Sequence, residues 1–159
     1  MEIIARINQK EYPQAPEGLH QAVCVDVIDR GLMETQYGLK PKVDIRWQTE
    51  EKHTFEDDTE HRYQVQNRYT LSLNDKASLT RDLQAWRGRK FTAEELKGFD
   101  LEALIGVNCQ LQIAHVISKN GKTYAGIQAI VPISKTMTKL RPEDYIRDKD
   151  RVSQQAQQP

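Results

Sequence analysis

Alternating hydrophobic and polar residues predict three β-strands in the first half of the chain. The run from Gln21 to Ile28 places three valines on one face and Cys24 and Asp26 on the other. Similar alternations follow at residues 42–47 and 63–73. A period of two residues is typical of antiparallel strands that bury one face and expose the other. We therefore expect three half-buried strands.

The segments around these strands predict turns and one acidic connector. Residues 16–18 read Pro-Glu-Gly, a turn that leads into the first strand. Gly31 lies inside the pattern of that strand, where glycine often marks a bulge. Residues 36–41 predict a loop. Residues 50–61 carry six acidic residues and one lysine, so we expect a solvated acidic linker.

The hydrophobic period changes after the third strand. Leu79, Leu83 and Trp86 are spaced as one stripe of a helix, with Asn74 or Asp75 as the expected cap and Gly88 as the end. A capping box at residues 92–95 and a second capping residue at Asp100 predict two further short helical turns. This part of the chain is therefore expected to be a helical insert.

Strands return in the last third of the chain. Hydrophobic residues alternate over 107–114 and again over 123–130. Asn120-Gly121 lies between the two runs and is typical of a type I′ hairpin turn, which requires positive φ values. We expect a β-hairpin here, which Pro132 ends.

This order of elements predicts a mainly β fold. Five strands with short helices inserted between strands 3 and 4 have the order of the OB-fold, a partly open Greek-key barrel that protects its sheet edges. We expect the OB-fold domain to cover residues 16–135. Residues 1–15 would form an N-terminal extension, and residues 136–159, which are charged and then Gln-rich, a flexible tail.

Composition narrows the protein's class. The 159 residues include 23 Lys and Arg against 23 Asp and Glu, so no overall charge excess indicates a polyanionic partner. No apolar run is long enough for a transmembrane helix. Cys24 and Cys109 have neither a metal-binding nor a disulfide spacing. We expect a cytoplasmic protein with reduced thiols, no membrane partner and no cofactor.

Several segments resemble one group of proteins. The stretch YTLSLNDKASLTRDLQAWRGRKFTAEEL from Tyr69, then KGFDLEALIG from Lys97 and NGKTYAGIQAIVPI from Asn120, resemble small OB-fold proteins encoded in phage and prophage replication or recombination gene clusters. The resemblance covers about residues 16–133. It implies the OB-fold and binding of single-stranded DNA in such a replication or recombination system.

OB-folds bind oligonucleotides across strands 2 and 3, flanked by the loops that join strands 1 and 2 and strands 4 and 5. Single strands need cations along the phosphates and aromatic faces for unstacked bases. The polar side chains in those elements give a predicted binding set: Tyr37, Lys40, Lys42, Arg46, Arg68, Lys119, Lys122 and Tyr124. Without residues 50–61, the chain has 22 basic and 17 acidic residues, so the rest could carry a basic stripe.

Three aromatic residues admit two interpretations. Trp47, Tyr69 and Trp86 share the periodicity of core positions, but their rings could also stack on bases. Ile3, Ile4 and Ile7 in the extension could form an added strand or a homodimer contact. A preference for DNA over RNA has no sequence signal.

Catalysis is not expected. Glu56, Asp57, Asp58 and Glu60, near His53 and His61, include ligand types for a metal-dependent nuclease, but their spacing matches no metal loop, so we expect no metal site. Walker and zinc-protease motifs are missing. The alternatives to a DNA-binding protein are an OB-fold adaptor that binds another replication protein and, less favoured, such a nuclease.

Overall fold

The computed structural model describes residues 13–151 of the chain. Its strands are Gly18–Thr35 (β1), Gly38–Thr54 (β2), Glu60–Thr70 (β3), Asn108–Ile117 (β4) and Thr123–Val131 (β5). Between β3 and β4 lie the helices Ser78–Arg87 (α1) and Ala93–Lys97 (α2) and a 3₁₀ turn at Leu101–Leu104. The expected order of three strands, a helical insert and two strands is confirmed. The predicted extension at Ile3, Ile4 and Ile7 and the Gln-rich end lie outside the described residues.

All five strands form one antiparallel sheet in the order β3-β2-β1-β4-β5. The edge strands β3 and β5 contact each other, so the sheet curls until its edges meet. No hydrogen-bonded ladder joins these two edges within residues 13–151. The fold is therefore mainly β and barrel-like, with an open sheet. None of the helices described is long and apolar enough to cross a membrane.

The hairpin of β1 and β2 is longer than the sequence pattern predicts. The two strands have 18 and 17 residues and remain paired as far as Thr35 and Gly38. The loop predicted at residues 36–41 is therefore wrong: only Gln36 and Tyr37 form the turn. Pairing of β1 with β2 continues from Gly31 and Lys42 to Thr35 and Gly38, so this arm belongs to the sheet.

Two register shifts in β1 change which face its side chains occupy. The pairing with β2 skips Val25 and Arg30, and the second shift confirms the bulge predicted at Gly31. An extra residue in a strand reverses the facing of the residues beyond it. As a result Cys24 and Val27, which the alternation placed on opposite faces, both lie on the core side of β1.

The core lies between the inner face of the sheet and α1. The predicted stripe of Leu79, Leu83 and Trp86 is buried. The Trp86 ring lies 5.6 Å from that of Trp47, measured between centroids, and Tyr69 is buried nearby in the same cluster. All three aromatic residues of uncertain role are thus core residues, so their faces are not offered to bases.

Helix ends follow the sequence signals with one exception. Gly88 ends α1 with φ 73°, the left-handed region that glycine occupies without strain. Thr92 and Glu95 form the predicted capping box of α2, and Asp100 caps the 3₁₀ turn. The expected cap of α1 is wrong: its N-cap is Ala77, without a side-chain hydrogen bond.

The hairpin turn between β4 and β5 is not of type I′. Gly121 has φ 82°, but Asn120 is not among the residues with positive φ. The Gly121 amide donates to the Ser118 carbonyl, and the Ser118 amide donates to the Lys122 carbonyl. This is a three-residue loop that ends in a left-handed glycine, which places Lys119 and Lys122 on either side of the turn.

Both cysteines are buried free thiols. Burial raises the pKa of Cys24 to about 12 and also raises that of Cys109. Thiolate is the reactive form of cysteine, so both side chains act as small core residues.

Residues 138–151, here called the C-terminal strap, lie across the outer face of the sheet. Asn108 donates to the Leu140 carbonyl and accepts from the Leu140 amide, at 2.9 and 2.8 Å. Gln48 makes the same paired contact with the backbone of Glu143, at 2.6 and 2.8 Å. The sequence predicted a tail beyond residue 136; its described part instead packs on β4, β1 and β2, because two amide side chains reproduce backbone pairing.

Candidate functional site

The predicted binding residues fall into three places in the structure. One group is at the tip of the β1–β2 hairpin, a second on the outer face of β2 and β3, and a third at the β4–β5 turn. In that order they are Tyr37 and Lys40; Lys42, Arg46 and Arg68; and Lys119, Lys122 and Tyr124. The strap contacts the second group through the hydrogen bond between Arg46 and the Tyr145 hydroxyl.

A buried carboxylate organises part of the outer face. Asp44 is fully buried and accepts from Arg30 Nε at 2.7 Å and from Arg68 Nε and Nη2 at 2.7 and 3.0 Å. Lys42 donates to the Thr70 hydroxyl at 2.7 Å. Two arginines around one carboxylate retain a net positive charge. Alternation predicts a solvent-facing aspartate at position 44, so the sequence pattern does not indicate the cluster of Asp44 with Arg30.

A second buried carboxylate ties the strap to the sheet. Asp26, which is 1% exposed, accepts from the Tyr145 hydroxyl at 2.5 Å, Arg147 Nε at 2.8 Å and the Asp148 amide at 2.9 Å. Arg147 also donates to both carboxylate oxygens of Glu102, at 2.8 and 3.0 Å. The strap thereby satisfies an acid that would otherwise be buried alone.

Arg46 lies between the strap and β3. Its guanidinium donates to Gln66 Oε1 at 2.7 and 2.9 Å and to the Tyr145 hydroxyl at 2.9 Å. Its positive charge has no carboxylate among these contacts, but the strap covers one side of it. The Arg46 guanidinium can therefore bind an anion on its uncovered side, and it also helps to hold the strap through Tyr145.

Both buried carboxyls have lowered pKa values. Burial raises the pKa of Asp26, but hydrogen bonds from Tyr145, the Asp148 amide and Arg147 outweigh it, so the pKa lies below the ordinary 3.8. Burial likewise raises the pKa of Asp44, and the hydrogen bonds from Arg68 and Arg30 outweigh it. Both groups are carboxylates at neutral pH, as their arginine partners require.

These two acids predict an acid-labile fold. A carboxyl whose pKa is lower in the folded than in the unfolded chain stabilises the fold above its unfolded pKa, and that stability is lost as the pH falls through the folded pKa. With an ordinary value of 3.8 for both groups, the free energy of unfolding should begin to fall near about pH 5 and fall more steeply below 3.8. Urea unfolding from pH 7 to 3 measures this. Asp44→Asn should flatten the acid limb, whereas exposed Glu60→Gln should not; equal limbs in both variants would contradict the assignment.

The β3–β5 cleft lies where the two sheet edges meet. Its lining includes Gln64 and Gln66 of β3 and Lys122, Tyr124 and Ala125 at β5, around a volume of about 690 Å³. Tyr124 is 50% exposed, and Lys122 is exposed beside it. Gln66 continues from this cleft to Arg46 through its hydrogen bonds. An aromatic ring, a cation and two amides thus share one open groove.

The tip of the β1–β2 hairpin is a separate exposed surface. The Tyr37 side chain is 79% exposed, and Leu32 and Leu39 are also exposed. Lys40 pairs with Met33 across the hairpin. This arm can contact a partner, but it extends away from the barrel body rather than lining the β3–β5 cleft.

The acidic segment 50–61 is mostly strand rather than linker. β2 runs to Thr54 and β3 begins at Glu60, with a turn between them. Phe55 and His61 are in edge contact there, and His53 contacts Phe55. In the described part of the chain, Glu56, Asp57, Asp58 and Glu60 form no metal-ligand group with either histidine.

No protein-family model matches the chain, and no curated protein matches it at a significant level.

Proposed function

We propose that the protein binds single-stranded DNA, largely without sequence preference, through the β3–β5 cleft. The observation that carries the proposal is the joint presence in that cleft of the exposed Tyr124 ring, the Lys122 cation and the amides of Gln64 and Gln66. Aromatic faces stack on any unpaired base, and cations follow the phosphates. The resemblance to phage replication and recombination proteins supports the same function.

The fold also supports this proposal. Five antiparallel strands that curl until β3 meets β5, with helices inserted between β3 and β4, fit an OB-type barrel. OB-folds use strands 2 and 3 and the loop between strands 4 and 5 for oligonucleotides. We infer that the single-stranded DNA enters at the β4–β5 turn, passes over Tyr124 and continues along β3 towards Arg46.

The C-terminal strap limits how far the bound DNA can extend along the outer face of the sheet. Tyr145 covers one side of Arg46, and Arg68 shares its charge with Asp44. We therefore assign the main contacts to Lys122 and Tyr124, with Lys119 beside them at the turn, and secondary ones to Arg46 and Arg68. Lys42, Lys40 and Tyr37 lie farther along β2 and its hairpin, on the path of a longer oligonucleotide.

Lys122→Gln and Tyr124→Leu test the cleft. Loss of one stacked base costs about 1–3 kcal/mol, so Tyr124→Leu should weaken binding by about fivefold to 150-fold. Lys122→Gln should reduce the slope of log affinity against log salt by about one ion. Anisotropy of a labelled dT oligonucleotide at several salt concentrations measures both. Tryptophan emission is unsuitable, since Trp47 and Trp86 are buried.

Matched variants separate the site from a general charge effect. Tyr124→Phe retains the ring face and should bind nearly as the parent protein does. Lys97→Gln removes an exposed cation from α2 and should leave the affinity unchanged. Since Lys97, Lys122 and Tyr124 are all exposed, each of these four variants should change the free energy of unfolding by less than about 0.5 kcal/mol. Equal binding by Tyr124→Leu and the parent would remove the cleft from the proposal.

A second candidate function is an adaptor for another replication protein. The observation that favours it is the exposed hairpin arm with Leu32, Tyr37 and Leu39. Exposed apolar residues grouped on one element often mark a protein contact. If labelled DNA does not bind at low salt, the adaptor becomes the better explanation.

A further inference from the structure

Three potential metal ligands converge where β1 begins and β2 approaches its end. His20 Nδ1 lies 3.4 Å from Glu50 Oε1 and 4.0 Å from Glu51 Oε1. One ligand atom from each of the three residues can be chosen so that all lie within 4.8 Å of one another. Ligands at about 2.1 Å from a tetrahedral ion are about 3.4 Å apart, so this spacing suits one shared cation.

The histidine is already oriented as metal-binding histidines are. Its side chain is 5% exposed, and Nε2 lies 2.8 Å from the Pro16 carbonyl oxygen. A carbonyl oxygen only accepts, so Nε2 carries a proton, and the neutral ring then presents the Nδ1 lone pair to the glutamates. Nδ1 is buried without a hydrogen-bond partner. A ring nitrogen fixed by a backbone carbonyl, with the other nitrogen free, is the usual support of a metal-bound imidazole.

A strand irregularity brings the two glutamates to the same side. Consecutive residues of a regular strand point to opposite faces. The pairing of β2 with β3 breaks between Gln48 and Lys52, and the Thr49 hydroxyl donates to the Glu51 carbonyl at 3.2 Å inside the break. Both carboxylates can therefore approach one imidazole, as bulges often re-aim side chains.

Lys52, the next residue along β2, does not pair with the Glu50 and Glu51 carboxylates. Its ammonium group is directed to Glu143, at 3.0 Å. Side-chain exposures of 36% for Glu50 and 51% for Glu51 leave room for water to complete the coordination. Two neighbouring carboxylates repel each other unless a cation lies between them.

We propose that His20, Glu50 and Glu51 form a binding site for one divalent transition-metal cation. Imidazole with carboxylates suits Zn²⁺ or Mn²⁺, whereas Mg²⁺ and Ca²⁺ prefer oxygen ligands alone. The ion would join the start of β1 to the irregular part of β2 and neutralise the Glu50–Glu51 pair. The proposal is independent of DNA binding, because these residues do not line the β3–β5 cleft.

Titration calorimetry of untagged, chelator-treated full-length protein with Zn²⁺ tests this site. The parent protein should bind one tight equivalent, and the bound ion should raise the melting temperature. Glu50→Gln with Glu51→Gln should weaken that binding by at least about tenfold, and His20→Gln should do the same. Because both glutamates are partly exposed, their double variant should retain the parent fold, which circular dichroism checks.

The matched control is Glu56→Gln with Glu60→Gln, two exposed acids of the adjacent turn, which should bind Zn²⁺ as the parent does. The buried thiols do not compete for the ion. The proposal is overturned if the parent binds no tight equivalent, if the Glu50/Glu51 variant binds as tightly as the parent, or if Mg²⁺ binds more tightly than Zn²⁺.

Discussion

Arg147→Ala is expected to lower the free energy of unfolding by about 3 kcal/mol, because it removes the charged partner of a buried acid. Asp26 is 1% exposed and has Arg147 Nε at 2.8 Å. The Arg147 side chain is itself 19% exposed, so we place the effect at the lower end of the range for buried pairs. Urea unfolding at pH 7 measures the change.

Two further variants test the cause of this loss. Arg141 is an exposed arginine of the same strap, and only its backbone carbonyl accepts from Arg62. Arg141→Ala keeps that carbonyl and should cost less than about 0.5 kcal/mol. Asp26→Asn combined with Arg147→Ala should cost less than the sum of the single changes, since the two side chains interact directly. Strict additivity would show that Arg147 acts through packing and not through Asp26.

Trp86→Ala is expected to cost about 4 kcal/mol, the largest loss of any single change considered for this protein. The Trp86 ring is 4% exposed, packs 5.6 Å from Trp47 and donates through Nε1 to the Asn108 carbonyl at 2.9 Å. Alanine would leave a large cavity between α1 and the sheet and an unpaired carbonyl on β4. Guanidinium unfolding followed by the emission of Trp47 measures the loss.

Graded substitutions distinguish the cavity from the hydrogen bond. Trp86→Phe retains a smaller aromatic ring and loses the Nε1 donor, so it should cost less than Trp86→Ala, about 1–2 kcal/mol. Leu96→Ala on α2, where the side chain is 44% exposed, should cost less than about 0.5 kcal/mol. A Trp86→Ala protein as stable as the Leu96→Ala protein would mean that α1 does not close the core.

Local patterns predicted the elements of this fold well. The stripe of Leu79, Leu83 and Trp86 and the capping box at Thr92 depend on residues three or four positions apart, which the sequence displays directly. The alternation at residues 42–47 likewise reports one buried face of β2. Each of these features is fixed by short-range geometry, so no knowledge of distant partners is needed.

The features that escaped prediction depend on distant partners. The register of β1 against β2 shifts at Val25 and at Arg30. Gly31 is the one sequence signal for the second shift, and the first shift has none. Asp26 and Arg147 are 121 positions apart, and the charged composition around Arg147 also fits a solvated segment. Asp26 and Asp44 alternate with apolar residues as exposed acids do, so their burial follows only from the arginines that reach them.

The candidate site was predicted in part. The structure brings Lys122 and Tyr124 together with Gln64 and Gln66, all of which lie on elements that the sequence indicated. It separates Tyr37 from them, because β1 and β2 extend where a loop was expected. DNA binding by the β3–β5 cleft is a prediction, which the oligonucleotide titration tests.

The strap also determines where this protein can be shortened. A fragment that ends at residue 135 would retain every strand, yet Gln48, Asn108 and Asp26 would lose the groups they bind at residues 140–148. A boundary drawn after the last strand therefore cuts through the folding unit. Poor expression or aggregation of such a fragment would reflect the missing segment and would be no measure of the intact protein's solubility.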